Sequence, residues 1–446
     1  MATKLPRALR PFRTAQYRIL MGALVVSLLG AGTWIVALVF EVKALGGTPS
    51  DLSFVAALNA LGLIAAVLVA GAIADRIPQK RILVAVETTK MLGFGTAAVL
   101  GLTGVVEVWH LAVISFVLGA VDGFFYPAYS ALLPSILEPE DLLPANGIEG
   151  MLRPTIVSAA GPLLASAVIV LASPAMAFLL VAVLQLGAAG GLLALRTTPV
   201  RRDLTAVEDR HPITAVLLDI RDGVTYMVRT PWLLGTLLFA SLWVLVVIGP
   251  LEVLLPFAVT EQTGGGAESY ALVLAAYGVG GAVSALVVAS FRLPRRYLTV
   301  MNLAWGLGTI PFVVMGFTDQ LWLMMAAGLV IGVAFSWGQV IWGTLLQRRV
   351  PPEMLGRVSS LDFFVSLAFM PISMAIAGPV GELLGFGPTF LLAGLVPIVL
   401  AVVVLVVFRM GRDELAHPLD VSPAEAMAED PPAGDRTEEP AGGAGG

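Results

Sequence analysis

Residues 71–81 read GAIADRIPQKR. About twenty apolar residues precede this stretch and about twenty follow it, the length that crosses a bilayer. Four charged residues, Asp75, Arg76, Lys80 and Arg81, stand within it. A short charged turn between two such segments is what a chain leaves in water when it enters a membrane and returns. The pattern recurs as FRLPRR at 291–296, where Arg292, Pro294 and Arg296 match Arg76, Pro78 and Lys80. LLPSILEPEDL (132–142) likewise matches LLQRRVPPEML (345–355), and Gly161-Pro162 matches Gly378-Pro379. All three pairs lie roughly 215 residues apart, so the chain is an internal repeat.

Composition agrees with a membrane protein. Of 446 residues, 58% are hydrophobic and 13% are charged. Soluble domains carry roughly 25% charged residues. There is no cysteine, which excludes disulfides and thiolate metal sites. His110, His211 and His417 are too scattered for a metal cluster, and no metal or cofactor is expected. A phosphate-binding GxxxxGK[ST] is absent, as are catalytic triads, so the chain does not read as an enzyme or an ATPase. Its cations follow the membrane surface instead of forming a patch, which disfavours nucleic acid. The Ala-, Gly- and Arg-rich usage suggests a GC-rich bacterial genome.

Twelve apolar segments are long enough to span. They lie at about 17–44, 51–74, 81–104, 108–134, 142–171, 176–195, 231–260, 268–290, 297–316, 320–346, 357–384 and 389–409. The first exceeds the roughly 7–15 residues of a signal-peptide core, so 18–43 reads as a retained span. The expected organisation is an all-α membrane protein. Residues 1–195 form one six-helix bundle, 196–230 a polar linker, 231–409 a second bundle and 410–446 a disordered tail. Lys and Arg set the orientation. One side holds Lys4, Arg7, Arg10, Arg13, Arg18, the 71–81 turn, the linker arginines and Arg292 to Arg296, whereas the opposite side holds Lys43. Both termini are therefore expected in the cytoplasm, in a bacterial cytoplasmic membrane.

Two repeats of six spans, the G-x-x-x-D-R-x-x-x-K-R loop and its weaker echo resemble the major facilitator superfamily over roughly 15–410. FFYPAYSALLPSILEPEDLLPANG (124–147) and LLQRRVPPEMLGRVSSL (345–361) resemble its drug:proton antiporter-3 branch. That branch includes bacterial macrolide, tetracycline and multidrug exporters. The resemblance implies a monomer that exchanges protons for bulky hydrophobic or cationic drugs by alternating access. Export of a siderophore or lipid-like metabolite is an alternative, and a non-transporting receptor on the same scaffold is a third. It also implies that Asp75 latches the cytoplasmic side against the start of the eleventh span near Arg357, with Arg76, Lys80 and Arg81 beside it. Pro78 departs from the family's usual Gly there.

Charges inside spans are costly and mark functional candidates. Glu149 and Arg153 lie four apart on one helix face. Asp122 sits at a similar depth, so the three are expected to meet. Two readings stand: a structural ion pair, or a proton site in which Arg153 holds a carboxylate ionised. The family's fourth-span Arg would fall near Gly119 and is absent, so Arg153 is the expected substitute. Glu252 follows Gly249-Pro250 in the seventh span. It reads as a second proton carrier, as an attractor of cationic drugs, or as a residue facing outer water. Glu87 and Lys90 read as a snorkelling or local pair. Trp34, Asn59, Tyr126, Tyr277, Trp337 and Gln339 are candidates for a substrate cavity, because apolar and aromatic walls with few polar groups suit bulky ligands. Gly161 and Pro162 resemble the family's antiporter signature and imply close packing at an outer gate.

Overall fold

Proline and glycine cut the apolar segments into helices. Pro174 and Pro231 occupy first turns, where a missing N–H costs nothing. Gly46, Gly104 and Gly264 adopt positive φ just after helices end, as a residue without Cβ does readily. The computed structural model describes residues 7–74, 77–196, 212–289, 291 and 293–419. Twelve of its helices are long and apolar enough to cross a membrane. Spans 1 to 6 are Ala15–Ala44, Pro49–Val67, Gln79–Leu102, Val108–Ile136, Glu140–Leu171 and Pro174–Leu193. Spans 7 to 12 are Pro231–Thr263, Ala267–Val288, Tyr297–Phe317, Leu321–Arg349, Leu361–Leu384 and Phe386–Val407. The expected all-α architecture is thus present.

The repeat is visible in the tightest helix crossings. A Cβ on Gly119 of span 4 would lie 2.0 Å from the Asn59 carbonyl oxygen of span 2. One on Gly62 of span 2 would lie 2.2 Å from the Phe116 carbonyl oxygen of span 4. The second half repeats both contacts between spans 8 and 10, with Gly332 on Tyr277 at 2.0 Å and Gly280 on Leu329 at 2.2 Å. Backbone thus lies on backbone in each bundle, the close approach that small residues permit in lipid. The Gly119 crossing also explains the missing fourth-span arginine: no side chain of any kind fits there. Between the bundles, span 2 runs along span 11 and span 5 along span 8.

The two bundles are dressed alike at the end that carries the termini. The turn Arg7–Arg13 packs on the start of span 5, where Arg10 meets Asp141 at 3.3 Å. The helix Pro212–Arg229 packs on Pro352–Leu367, which leads into span 11, the counterpart of span 5. Part of the expected linker is therefore helical; residues 197–211 lie outside the described residues.

The expected disordered tail is helical at its start. Met410–Ala416 is a helix, entered through a left-handed turn at Arg409 (φ 50). It folds back because span 9 needs it. Glu414 is fully buried and accepts from the Thr299 N–H at 3.0 Å and the Thr299 hydroxyl at 2.6 Å. A carboxylate there satisfies an unpaired donor and the positive helix end together. Asp413 pairs with Arg349, whose guanidinium lies 4.7 Å from the Trp232 ring centre. The described residues end at 419, so most of the expected tail lies outside them.

Three variants test this packing. Gly119→Val should destabilise the purified protein by about 3 kcal/mol or prevent its accumulation in membranes. Gly190→Ala, where nothing lies within 4 Å of the added carbon, should leave the melting temperature nearly unchanged. Glu414→Ala should cost roughly 1–3 kcal/mol. A thermal melt of that variant matching wild type would show that the tail helix does not hold span 9.

Candidate functional site

Span 7 breaks where it meets the other bundle. Gly249 is pressed on span 11, its N–H donating to the Ser373 hydroxyl at 2.8 Å. Pro250 has no N–H to continue the ladder, and the next turn, Pro250–Leu254, is π-helical. Glu252 sits on that turn and faces a cavity of about 240 Å³. The other wall comes from the first bundle: Trp34, Asn59, Lys90, Asp122 and Gln185. The carboxylate points into a chamber that both bundles build.

The charge pairing differs from expectation. Asp122 pairs with Lys90, not with Arg153. Span 4 lies beside span 3 along much of its length but barely touches span 5, so Lys90 reaches Asp122 first. The Lys90 side chain is only 7% exposed, whereas that of Asp122 is 47% exposed, toward the cavity. The ammonium also lies 5.3 Å from the Phe125 ring centre. Glu87, one turn away on span 3, is fully buried and accepts from the Ser27 hydroxyl at 2.8 Å. Glu87 and Lys90 are therefore not a snorkelling pair. Their three-residue spacing inside an apolar segment was the available signal.

Arg153 pairs with Glu149 at 2.8 Å, as the four-residue spacing implies. They line a second cavity of about 590 Å³ on the side of the termini, with Tyr126, Asn146 and Gln347. Its size lies within the roughly 300–1,000 Å³ range of ligand pockets. Span 5 also carries a π-helical turn, Ile156–Ala160, between Pro154 and Pro162.

The remaining candidates divide. Trp34 lies with its ring centre 4.9 Å from those of both Phe94 and Phe178 and borders the central cavity. The Asn59 amide donates to the Ser115 carbonyl at 2.9 Å, so the cavity sees a polar group already oriented. Tyr277, Trp337 and Gln339 line neither cavity. Tyr277 is held where its backbone meets Gly332, and Gln339 is exposed elsewhere. Lys80 donates to the Leu193 carbonyl at 2.7 Å and the Leu195 carbonyl at 2.5 Å, capping the end of span 6 within its own bundle. Arg81 is exposed. Asp75 and Arg76 lie outside the described residues, as does the Arg357 side chain. Asp362, at the start of span 11, went unnoticed in the sequence; it accepts from the Trp342 indole N–H at 3.1 Å.

The end opposite the termini is where the bundles are tied. Lys43 of span 1 donates to the Thr260 hydroxyl of span 7. The Ser50 N–H donates to Glu382 at 2.8 Å, and the Gly378 N–H to the Ser53 hydroxyl at 2.7 Å. A Cβ on Gly378 would lie 2.3 Å from the Pro49 carbonyl oxygen. Gly378 thus packs span 11 across the bundle boundary. Gly161, its repeat partner, packs within the first bundle, where an added Cβ would lie 2.6 Å from the Gly32 Cα.

Comparison with known proteins agrees with this geometry. The chain is 28% identical over 403 residues to the multidrug efflux pump Tap of Mycolicibacterium fortuitum, covering 87% of this chain and 94% of that protein. It is 21% identical to macrolide efflux protein A of Streptococcus pyogenes, covering 85% and 92%. The crystal structure of the nucleoside transporter NupG superimposes with a TM-score of 0.69 at 14% identity, covering 88% of this chain and 99% of that one. The Major Facilitator Superfamily model matches residues 20–361 and 251–434, which takes in both bundles and the cavity between them. The chain is a member of that superfamily, a multi-span transporter and not an enzyme.

Proposed function

We propose that this chain exports bulky hydrophobic or cationic compounds, antibiotics among them, across the bacterial cytoplasmic membrane in exchange for protons. The observation that carries the reading is the central cavity. Two carboxylates, Glu252 and Asp122, one ammonium, Lys90, and the Trp34 ring line it. Carboxylates attract a ligand cation, and aromatic and aliphatic walls bury its apolar body. The efflux pumps among its relatives support the direction of transport.

The Lys and Arg asymmetry puts the termini in the cytoplasm. The bundles are then tied on the outer side, and the 590 Å³ vestibule opens inward. A substrate enters past Tyr126 and Glu149 and reaches the central cavity. The outer ties then release while the cytoplasmic side closes. Protons bind when the cavity faces outward and leave when it faces inward, which biases the two states in turn. The Asp75 turn is the proposed latch on the cytoplasmic side, and the chain acts as a monomer.

Three measurements test this. Cells expressing the protein should accumulate less tetraphenylphosphonium, and a protonophore should abolish the difference. Glu252→Gln should weaken resistance to cationic drugs by about tenfold, as expected for the loss of ~1.4 kcal/mol of attraction. Resistance to neutral drugs should change little. Equal loss for both classes would assign Glu252 a structural role. The native chain has no cysteine, so a Ser50→Cys, Glu382→Cys pair reports the outer closure cleanly. A short bis-thiol reagent should link the pair and stop transport, and reduction of a cleavable version should restore it.

A further inference from the structure

Glu87 carries a role that its surroundings define. It is fully buried on span 3. One carboxyl oxygen accepts from Ser27 at 2.8 Å, and the other is buried without a hydrogen-bond partner. The charged groups near it are Lys90 and Asp122, with Arg153 of span 5 acting on Lys90. Span 6 contributes only the neutral Gln185, which donates to the Ser27 carbonyl at 3.3 Å. Lys90 stands three residues after Glu87 on the same helix face, yet its ammonium is committed to Asp122. Two carboxylates therefore share one cation. Asp122 is paired and meets the cavity, whereas Glu87 has Lys90 nearby but no ion pair with it and is closed off from solvent. A carboxyl in such a place is stable only when neutral.

We propose that Glu87 holds the proton exchanged for substrate, and that Lys90 releases it by moving from Asp122 to Glu87. This rests on the proton-coupled export proposed above and names the device that couples it. A cationic substrate entering the central cavity competes with Lys90 for Asp122. The displaced ammonium turns along its own helix toward Glu87. Glu87 passes its proton to the Lys90 nitrogen as that nitrogen releases one to cavity water. Only O–H and N–H bonds change. One positive charge arrives with the substrate and one leaves as a proton, so the buried site keeps its net charge. When the substrate departs, Lys90 returns to Asp122 and Glu87 takes up a proton. Substrate and proton thus exclude each other without touching the same carboxylate.

The readout is proton release from purified protein in weakly buffered detergent solution on addition of tetraphenylphosphonium. Wild type should release about one proton per cation bound, the value set by charge balance at the site. Glu87→Gln, which mimics the neutral carboxyl, should bind the probe but release no proton. In liposomes it should exchange labelled for unlabelled probe while losing accumulation driven by a pH gradient. Glu87→Asp should restore part of that accumulation. Lys90→Gln should bind the probe and also release no proton. Infrared difference spectra at neutral pH should show a protonated-carboxyl band in wild type that is missing from Glu87→Gln. If Glu87→Gln releases as many protons as wild type, or the band is unchanged, Glu87 is not the store, and proton-coupled export stands. If wild-type transport of the probe ignores both the protonophore and the pH gradient, the underlying reading falls with it.

Discussion

A charge inside a bilayer must have a partner or water, and the architecture of this protein follows from how few it has and where they go. The central ones are Lys90 and Asp122. Lys90 is buried and reaches sideways; Asp122 is half-exposed and faces the cavity between the bundles. Their pairing fixes span 3 against span 4. The Gly119 crossing fixes span 4 against span 2, and span 2 carries the ties to span 11. Packed helices thus connect Asp122 to the ties at the end opposite the termini.

The two halves share a scaffold and divide the chemistry. The glycine crossings at Gly119 and Gly332 are superimposable contacts, and each half has a helical turn or helix laid on the entry to its fifth span. The charges have no such symmetry. Glu87, Lys90, Asp122, Glu149 and Arg153 all belong to the first bundle, where two ion pairs stand at cavity walls. The second bundle contributes Glu252 from a π-helical turn and is clamped at its other end by Asp413 and Glu414.

This division also explains what could be read from the sequence. Span number, all-helical class and the twofold repeat of six spans depend on hydropathy over twenty-residue windows and on a few Gly, Pro and Arg positions, all of them local signals. The Glu149–Arg153 pair was legible for the same reason, since four residues on one helix is local geometry. The partner of Asp122 was not. Depth along the span suggested Arg153, but depth fixes one coordinate only; the neighbouring helix is set by tertiary packing. Lys80 shows the same limit, since its type and place in a loop suit a gate, while its carbonyl acceptors belong to span 6. The absence of Tyr277 and Gln339 from the linings of the two cavities was no more legible, because aromatic or polar character says nothing about which helix face meets the other bundle.

The π-helical turns deserve a physical reading beyond irregularity. A π-turn adds one residue to a helical turn, so it can be absorbed or passed along without breaking the span. In span 7 it is fixed on one side by Gly249 against Ser373, and it carries Glu252 on the other. In span 5 it lies just before Gly161, where the backbone touches Gly32. Each turn therefore adjoins a close backbone contact and a charge that lines a cavity: Glu252 on one turn, Arg153 just before the other. Local rewinding would rotate these side chains while the glycine contacts stay in place. Such a span can change what it presents to substrate without moving as a whole, and so a small change of charge at the cavity can be met by a change of helix register instead of the loss of a packed interface.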